Sequence, residues 1–487
     1  MVRVNDSKAG AIVPLFIPWL LATLTQLDPV VSYWIAWSGS FFIFFWTLIF
    51  PSRFISNDLP IHQQIMRPLF LTQIIFAGFM CCTSVFFFLD HMGYIYLEKT
   101  YPQPFIATEE TSVIAKCQRM SVLGHAALAT GMITLIERVT PLKKYRLNNN
   151  LKQDHFLVGL SFSAYILGFL VRYLPGLYQF SIGLVNTGVI CGALIMVKGI
   201  VQKKTDLLLI GGSLFVVNMI SASLTGYKEP IIVNFLIVGC LIYPYYKKAT
   251  IFIGLPLIYF LFYILPTYAN IIRSQSWNGQ ASAEEARGQA LETLFNEDNG
   301  EVDLDETNWA FLTRRLSEIE MFAKFVETTP KDIDYYGFEI AEQTLISLVP
   351  RFLWPGKPIT ETMAMERVYN AGVVSRLSKV SAKTRPIVDA YLSGGTVGVL
   401  ISMFLYGFIC QALCNKAESL YGGYQLGGII LYNGCFQPAW RGNNFEFIAN
   451  SVFWSFILML LIFQLLKLYK ILIPIKDGDH LSNQQIM

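Results

Sequence analysis

Apolar runs long enough to cross a bilayer follow one another along most of this chain, and they pause at length only between residues 271 and 387. Twelve runs are legible, at roughly 11–27, 30–50, 68–90, 117–136, 155–172, 177–198, 206–223, 231–246, 250–270, 388–413, 423–438 and 447–469. A spanning helix needs about 20 apolar residues, and tilt makes somewhat shorter ones viable. The pattern predicts an all-α, polytopic integral membrane protein of about twelve transmembrane helices. Nine helices fall in 1–270, a large polar loop occupies 271–387, three helices fall in 388–470, and 471–487 is a tail.

Inside the polar segment the period is helical again. Leu312, Leu316, Ile319, Ala323 and Val326 form a stripe that predicts a helix over 309–327, with Asn308 as its cap. A second helix is expected over 338–349, stopped by Pro350, and a third from about 359 to 370. Residues 278–308 are polar and carry Glu297, Asp298, Glu301, Asp303, Asp305 and Glu306. This run lacks the oxygen ligand that a calcium loop needs at its first position, which falls on Phe295, and it reads as a solvated surface.

Composition agrees with the pattern. The chain is 54% hydrophobic and only 15% charged, and its mean hydropathy is +0.46. The net charge of +3 and the absence of a basic arm give no sign of nucleic-acid binding. None of the eight cysteines lies in 271–387, and their placement in or beside apolar runs predicts small core residues rather than disulfides or a metal site. The apolar stretch from Ala11 follows Arg3 and Lys8 like a signal peptide, but Pro14 and Pro18 interrupt it and no clean cleavage site follows; it reads as the first membrane helix.

Positive charge sets the expected orientation. Arg53, Arg67, Arg138, Lys143, Lys144, Arg146, Lys152, Lys198, Lys203, Lys204, Lys247, Lys248 and Lys416 all fall in alternate connections. Lys and Arg collect on the cytoplasmic side. Both termini are therefore expected inside and the 271–387 loop outside, which in a bacterium places the protein in the inner membrane.

Cations also gather towards the outer face: Arg172, Lys228, Arg314, Arg315, Arg351, Lys357, Arg385 and Arg441. A convergent set of Arg and Lys suits a diphosphate. Taken singly, each is also an ordinary headgroup anchor or ion-pair partner. Arg351 differs because Pro350 and Pro355 give it a stiff frame. The outer carboxylates are Glu229, Glu318, Glu320, Asp389 and Glu446. Arg314 with Glu318, and Arg385 with Asp389, have the spacing of helix ion pairs, and any one of these acids also suits a general base. Trp277, Trp309, Tyr335, Tyr336, Phe338, Phe352, Trp354, Tyr369 and Trp440 offer faces for sugar rings or anchors at the membrane interface. Histidine is missing between His155 and His480, so the outer loop has no imidazole for acid–base or zinc chemistry.

The segment Leu348-Val349-Pro350-Arg351-Phe352-Leu353-Trp354-Pro355-Gly356-Lys357-Pro358 resembles the signature of oligosaccharide repeat-unit polymerases, the Wzy-like O-antigen polymerases. Thr225-Gly226-Tyr227-Lys228, Asp389-Ala390-Tyr391 with Gly394-Gly395, and Arg441-Gly442 are similar to weaker marks of that family, over about 220–460. Asp389 stands where Glu is commoner, and Lys228 where Arg is commoner. The resemblance implies a GT-C-like glycosyltransferase architecture that needs no cofactor or metal. It implies transfer of a growing glycan from undecaprenyl diphosphate to a new lipid-linked repeat, among membrane lipids and alongside a flippase and a chain-length regulator. On this expectation Asp389 and Glu318 are the catalytic carboxylates. Arg351, Lys228, Arg441, Arg315 and Lys357 hold the diphosphate, and Trp354, Tyr391 and Tyr336 hold sugars. An O-antigen ligase, a transporter and a non-catalytic export component are the alternatives. The ligase is disfavoured by the missing loop histidine, the transporter by spans nearly free of charge.

Overall fold

A computed structural model describes residues 8–49, 54–100, 104–136, 143–174, 177–224, 229–259, 304–351, 353–377 and 382–475. The chain is predominantly helical. Seven helices are long and apolar enough to cross a membrane: Pro29–Leu48, Pro68–His91, Gln153–Val171, Tyr178–Gln202, Thr205–Ser223, Pro386–Leu420 and Phe445–Leu468. Gly10–Leu24 and Pro230–Ile242 are apolar but shorter. Of the expected 250–270 run, residues 250–259 are described, and they are helical. The expected 423–438 run is a composite. A π-helix, Tyr424–Tyr432, passes into a short α-helix and then into a 3-10 turn, Gln437–Arg441.

We label the helices used below in chain order: α1, Pro29–Ile49; α2, Glu109–Leu135; α3, Gln153–Val171; and α4, Tyr178–Gln202. In the loop come α5, Ile319–Thr328; α6, Glu339–Leu348; and α7, Thr360–Asn370. The last two long helices are α8, Pro386–Leu420, and α9, Phe445–Leu468.

Helix α2 is the axis of the bundle. It begins at Glu109, earlier than its apolar run, under a capping box formed by Thr108 and Thr111. It carries Lys116 and Arg119 and is not among the seven helices that length and composition mark as able to cross a membrane. The cost is met by enclosure, because most of its middle is buried in protein. Arg119 donates to Ser32 Oγ at 2.8 Å, and His125 meets Gln73 Oε1 at 3.0 Å. Small residues bring α8 against it. A Cβ on Gly407 would lie 2.0 Å from the Leu128 carbonyl oxygen, and one on Gly131 would lie 2.1 Å from that of Phe404. Such close backbone approach is how helices pack where no hydrophobic force separates helix from lipid. The α3–α4 pair uses the same device, with Ser161 Oγ donating to the Gly188 carbonyl at 2.7 Å.

The two ends of the bundle differ. At the end away from the loop, strand Tyr145–Leu147 pairs antiparallel with Leu472–Pro474. Beside it Arg67 is held between two carboxylates. Its Nε and Nη2 donate to Glu418 at 2.8 and 2.7 Å, and its Nη1 and Nη2 donate to Asp58 at 2.8 and 2.6 Å. Gln64 Oε1 accepts a further bond from Nη1. Burial opposes the charge on Arg67, but Asp58 and Glu418 outweigh it and raise the guanidinium above its ordinary range. Burial likewise works against the charge on Asp58, and Arg67 more than compensates, so the Asp58 carboxyl sits below its ordinary range.

At the other end the loop helices cap the bundle. The expected helix over 309–327 is two. Helix Leu304–Phe311 runs into a π-turn, Leu312–Leu316, and the chain then breaks at Glu318, whose φ is +49°. Asn308 accordingly lies inside the first helix rather than capping it. The stripe still packs, because Leu316, Ile319, Ala323 and Val326 are buried. The second and third loop helices, α6 and α7, stand where the sequence places them. All eight cysteines are free; seven are buried and Cys82 is half-buried.

Candidate functional site

The proline motif builds a rigid hook on the loop face. After α6 ends at Leu348, the amides of Leu353 and Trp354 both donate to the Pro350 carbonyl, and that of Lys357 donates to Trp354. Lys357 then reaches back. Its Nζ donates to the carbonyls of Ser347 and Val349, both at 2.8 Å, and so satisfies acceptors left open at the helix end. Burial, and then the neighbouring Arg351, lower the pKa of this ammonium from its ordinary value. Arg351 is exposed, and its Nη1 makes one long contact, 3.4 Å to the Lys357 carbonyl. Its other nitrogens make no hydrogen bond with the described residues, and the space beside the hook is open.

What lies there is a cavity of about 350 Å³. Arg351, Lys357 and Lys383 contribute cations to its wall, Glu361 and Glu446 contribute carboxylates, and Trp454 lies on its α9 side. Lys383 lies 5.0 Å from the centre of the Phe447 ring, which positions its ammonium over the start of α9. Gln179, at the start of α4, and Trp454, well along α9, carry the lining towards the apolar helices. The cavity is thus polar where the loop covers it and extends to Asn450 and Trp454 of α9 and Gln179 of α4.

One wall of this cavity rests on a buried charge cluster. Arg367 of α7, Asp389 of α8 and Glu446 of α9 are 1%, 0% and 2% exposed. Arg367 Nη1 lies 2.7 Å from Glu446 Oε1, and its Nη2 lies 3.5 Å from Asp389 Oδ1. Nη1 also donates to Gln343 Oε1 of α6 at 2.6 Å. Burial opposes the charge on Arg367, but Asp389 and Glu446 prevail and hold it above its ordinary range. Asp389 Oδ2 accepts from the Phe445 amide at 2.8 Å. It thereby serves as the N-terminal cap of α9, whose own Asn444 makes no side-chain cap. Four elements, α6, α7, α8 and α9, are tied at one point.

The helix α8 reaches this point by way of a break. Gly394 and Gly395 leave the helical region, Gly395 with φ at +59°. A Cβ on Gly395 would lie 2.7 Å from Tyr335 Oη. Only glycine meets both the left-handed backbone and the close approach of the tyrosine.

The residues singled out from the sequence divide into groups. Arg351 and Lys357 are together at the cavity. Asp389 is in the cluster that adjoins it but is not among the lining residues. Glu318 pairs bidentately with Arg385, which also donates to the Gly442 carbonyl. The partners of Glu318 and Asp389 thus come from across the fold, since the break at Glu318 interrupts the helical spacing to Arg314. Arg441 donates to Gln437 one turn earlier, and Arg315 is exposed on the π-turn. Tyr391 is buried, and its hydroxyl donates to the Thr329 carbonyl at 3.0 Å, so it acts as a core tie. Tyr336 is half-buried, with its amide donating to the Leu392 carbonyl, and Trp354 is exposed on the hook. Lys228, Trp277, Phe352 and the acidic run from 297 to 303 lie outside the described residues. Arg367 and Gln343 went unread in the sequence. The available signal was two acids, Asp389 and Glu446, at the starts of two apolar helices with no evident local cation to balance both.

Other hollows lie at the opposite end. One of about 20 Å³ surrounds Arg67, and one of about 730 Å³ is lined by Asp58, Lys143, Lys198 and Tyr424 among others. Neither contains the hook. Among the described residues no group of His, Cys, Asp and Glu is arranged to hold a metal ion. No curated protein and no solved structure matches the chain. A family model described as a domain of unknown function, DUF8712, matches residues 17–474, and the chain belongs to that family.

Proposed function

We propose that this protein is a membrane glycosyltransferase that polymerises lipid-linked oligosaccharide repeat units at the loop face. The observation that carries the reading is the cavity whose lining includes both Arg351, presented by the proline hook, and the buried carboxylate Glu446. A glycosyl donor that leaves as a lipid diphosphate needs cations where its negative charge develops, and fixed cations act most strongly there. Arg351 and Lys383 stand in that position, Lys357 braces the hook, and Lys228 and Arg441 are further candidates. Exposed Trp354 offers a face to sugars. Trp454, on the α9 side of the cavity, offers an apolar surface to a polyprenyl chain.

In this reading the chain crosses a bacterial inner membrane twelve times in a GT-C-like arrangement, with both ends in the cytoplasm and the hook outside. Its substrates are glycans on undecaprenyl diphosphate, and a flippase and a chain-length regulator are its expected neighbours. The donor is already activated, so no nucleotide, metal or redox cofactor enters the scheme.

The test is the glycan profile of cells lacking the protein. Accumulation of single repeats on lipid diphosphate, with loss of long polymer, supports the polymerase. Long polymer that persists on its carrier but fails to reach a final acceptor identifies a ligase, and single repeats trapped on the cytoplasmic leaflet identify a transporter.

A further inference from the structure

We infer that Glu446 is the general base of this site, and that Arg367 and Asp389 are the residues that position it. The inference rests on the polymerase reading and assigns the proton-accepting role that the reading needs. Three observations lead to it.

The first is access. Both acids of the cluster are buried, but Glu446 lines the cavity that Arg351 shares, whereas Asp389 is not among its lining residues and its Oδ2 caps the Phe445 amide. Glu318 is engaged with Arg385. The second is open valence. Glu446 Oε1 is engaged by Arg367 Nη1 at 2.7 Å, whereas Oε2 has no hydrogen-bond partner among the described residues. An ionised carboxylate has room for several donors, so a hydroxyl arriving through the cavity finds an acceptor already in place. The third is charge balance. The cluster holds two carboxylates and one guanidinium, all buried. Its two acids outnumber its one cation, and holding an uncompensated buried charge costs stability. A carboxylate that stability does not require, beside a cavity, is characteristic of a functional group.

The step balances as follows. The acceptor sugar hydroxyl gives its proton to Glu446 as its oxygen bonds to the anomeric carbon of the donor. The bond from that carbon to the diphosphate oxygen breaks, and its electron pair leaves with the lipid diphosphate. Arg351 faces the departing oxygen. Glu446 then releases its proton to water or to the diphosphate. Arg367 does not touch the substrate; it sets the direction of the Glu446 carboxylate from behind, with Gln343 fixing the guanidinium plane.

The experiment uses purified full-length protein in lipid vesicles and, as substrate, the lipid extract of cells lacking it. Chain lengthening is read on gels. Glu446→Gln is expected to lower turnover about 10²–10⁴-fold, the usual contribution of general base catalysis, while eluting from a sizing column as the wild type does. Glu446→Asp, which keeps the carboxylate, is expected to restore at least about tenfold of that loss. Arg367→Gln is expected to lower turnover in the wild-type background and to add no further loss on top of Glu446→Gln, as residues acting through one group do. Glu446→Gln activity within about threefold of wild type would overturn the assignment, as would an equal loss from Arg367→Gln in both backgrounds, which marks a purely structural residue. If wild-type protein fails to lengthen the extract at all, the polymerase reading falls and the base with it.

Discussion

Truncating Arg351 to alanine separates the chemistry of the hook from its stability. The side chain is exposed, and its one described hydrogen bond spans 3.4 Å to the Lys357 carbonyl, a length at which little energy remains. Its loss should change stability by no more than about 0.5 kcal/mol, as for most surface substitutions. Turnover should behave otherwise. Removing one preorganised donor from developing charge costs roughly 10²–10³ in rate, or about 2.7–4 kcal/mol. Arg351→Lys should recover part of that loss, because an ammonium carries the charge but not the planar fork. Lys357→Ala provides the contrast. It removes two short bonds to the Ser347 and Val349 carbonyls, and with partial exposure discounted this should lower stability by roughly 1–2 kcal/mol. The assay pairs thermal unfolding in detergent with polymer length in complemented cells. Arg351→Ala protein that is normal in amount and melting but makes no long polymer fits the account. Normal polymer from that variant would refute it, and would leave Arg351 as an interface anchor.

Arg67→Ala should cost roughly 3–5 kcal/mol, since it strands Asp58 and Glu418 without their shared cation; the melting temperature in detergent reads this directly. Asp58 is held below its ordinary range, so its contribution should be complete above about pH 4 and disappear as pH falls further, which an acid-unfolding series on wild type and Asp58→Asn would show. Gly395→Ala meets both a φ of +59° and the Tyr335 hydroxyl, and should reduce the yield of folded protein, with Tyr335→Phe giving no relief of the backbone strain. Turnover by purified protein should survive excess chelator, and a loss restored by a divalent ion would show that the acidic run at 297–306 holds a metal.

The bilayer pattern made most of the helical organisation legible, because uninterrupted apolar runs have few other uses. It was least informative for α2. That helix sits on the bundle axis, where protein contacts replace lipid, so Lys116 and Arg119 dilute its signal. The hook was legible because its prolines fix local geometry and its residues are contiguous. Lys357 was harder to read. Its number in the sequence marks it as a cation, whereas its bonds to Ser347 and Val349 make it a brace. The buried cluster was least legible of all. Arg367 lies on a short amphipathic loop helix, and its partners come from α6, α8 and α9, so no local spacing announces it. Tyr391 shows the converse. It lies within a segment that resembles a polymerase mark, and the fold spends its hydroxyl on Thr329.

The most direct test of the central claim is stoichiometry in a closed system. Purified protein in vesicles receives lipid extract containing single repeats, and glycan length and released lipid diphosphate are measured together. The account predicts a ladder of longer lipid-linked glycans, with one lipid diphosphate freed for each repeat added, and neither product from Arg351→Ala. Glycan that crosses the vesicle membrane without lengthening, or repeats that stay single while the wild-type protein is folded and loaded, would contradict it.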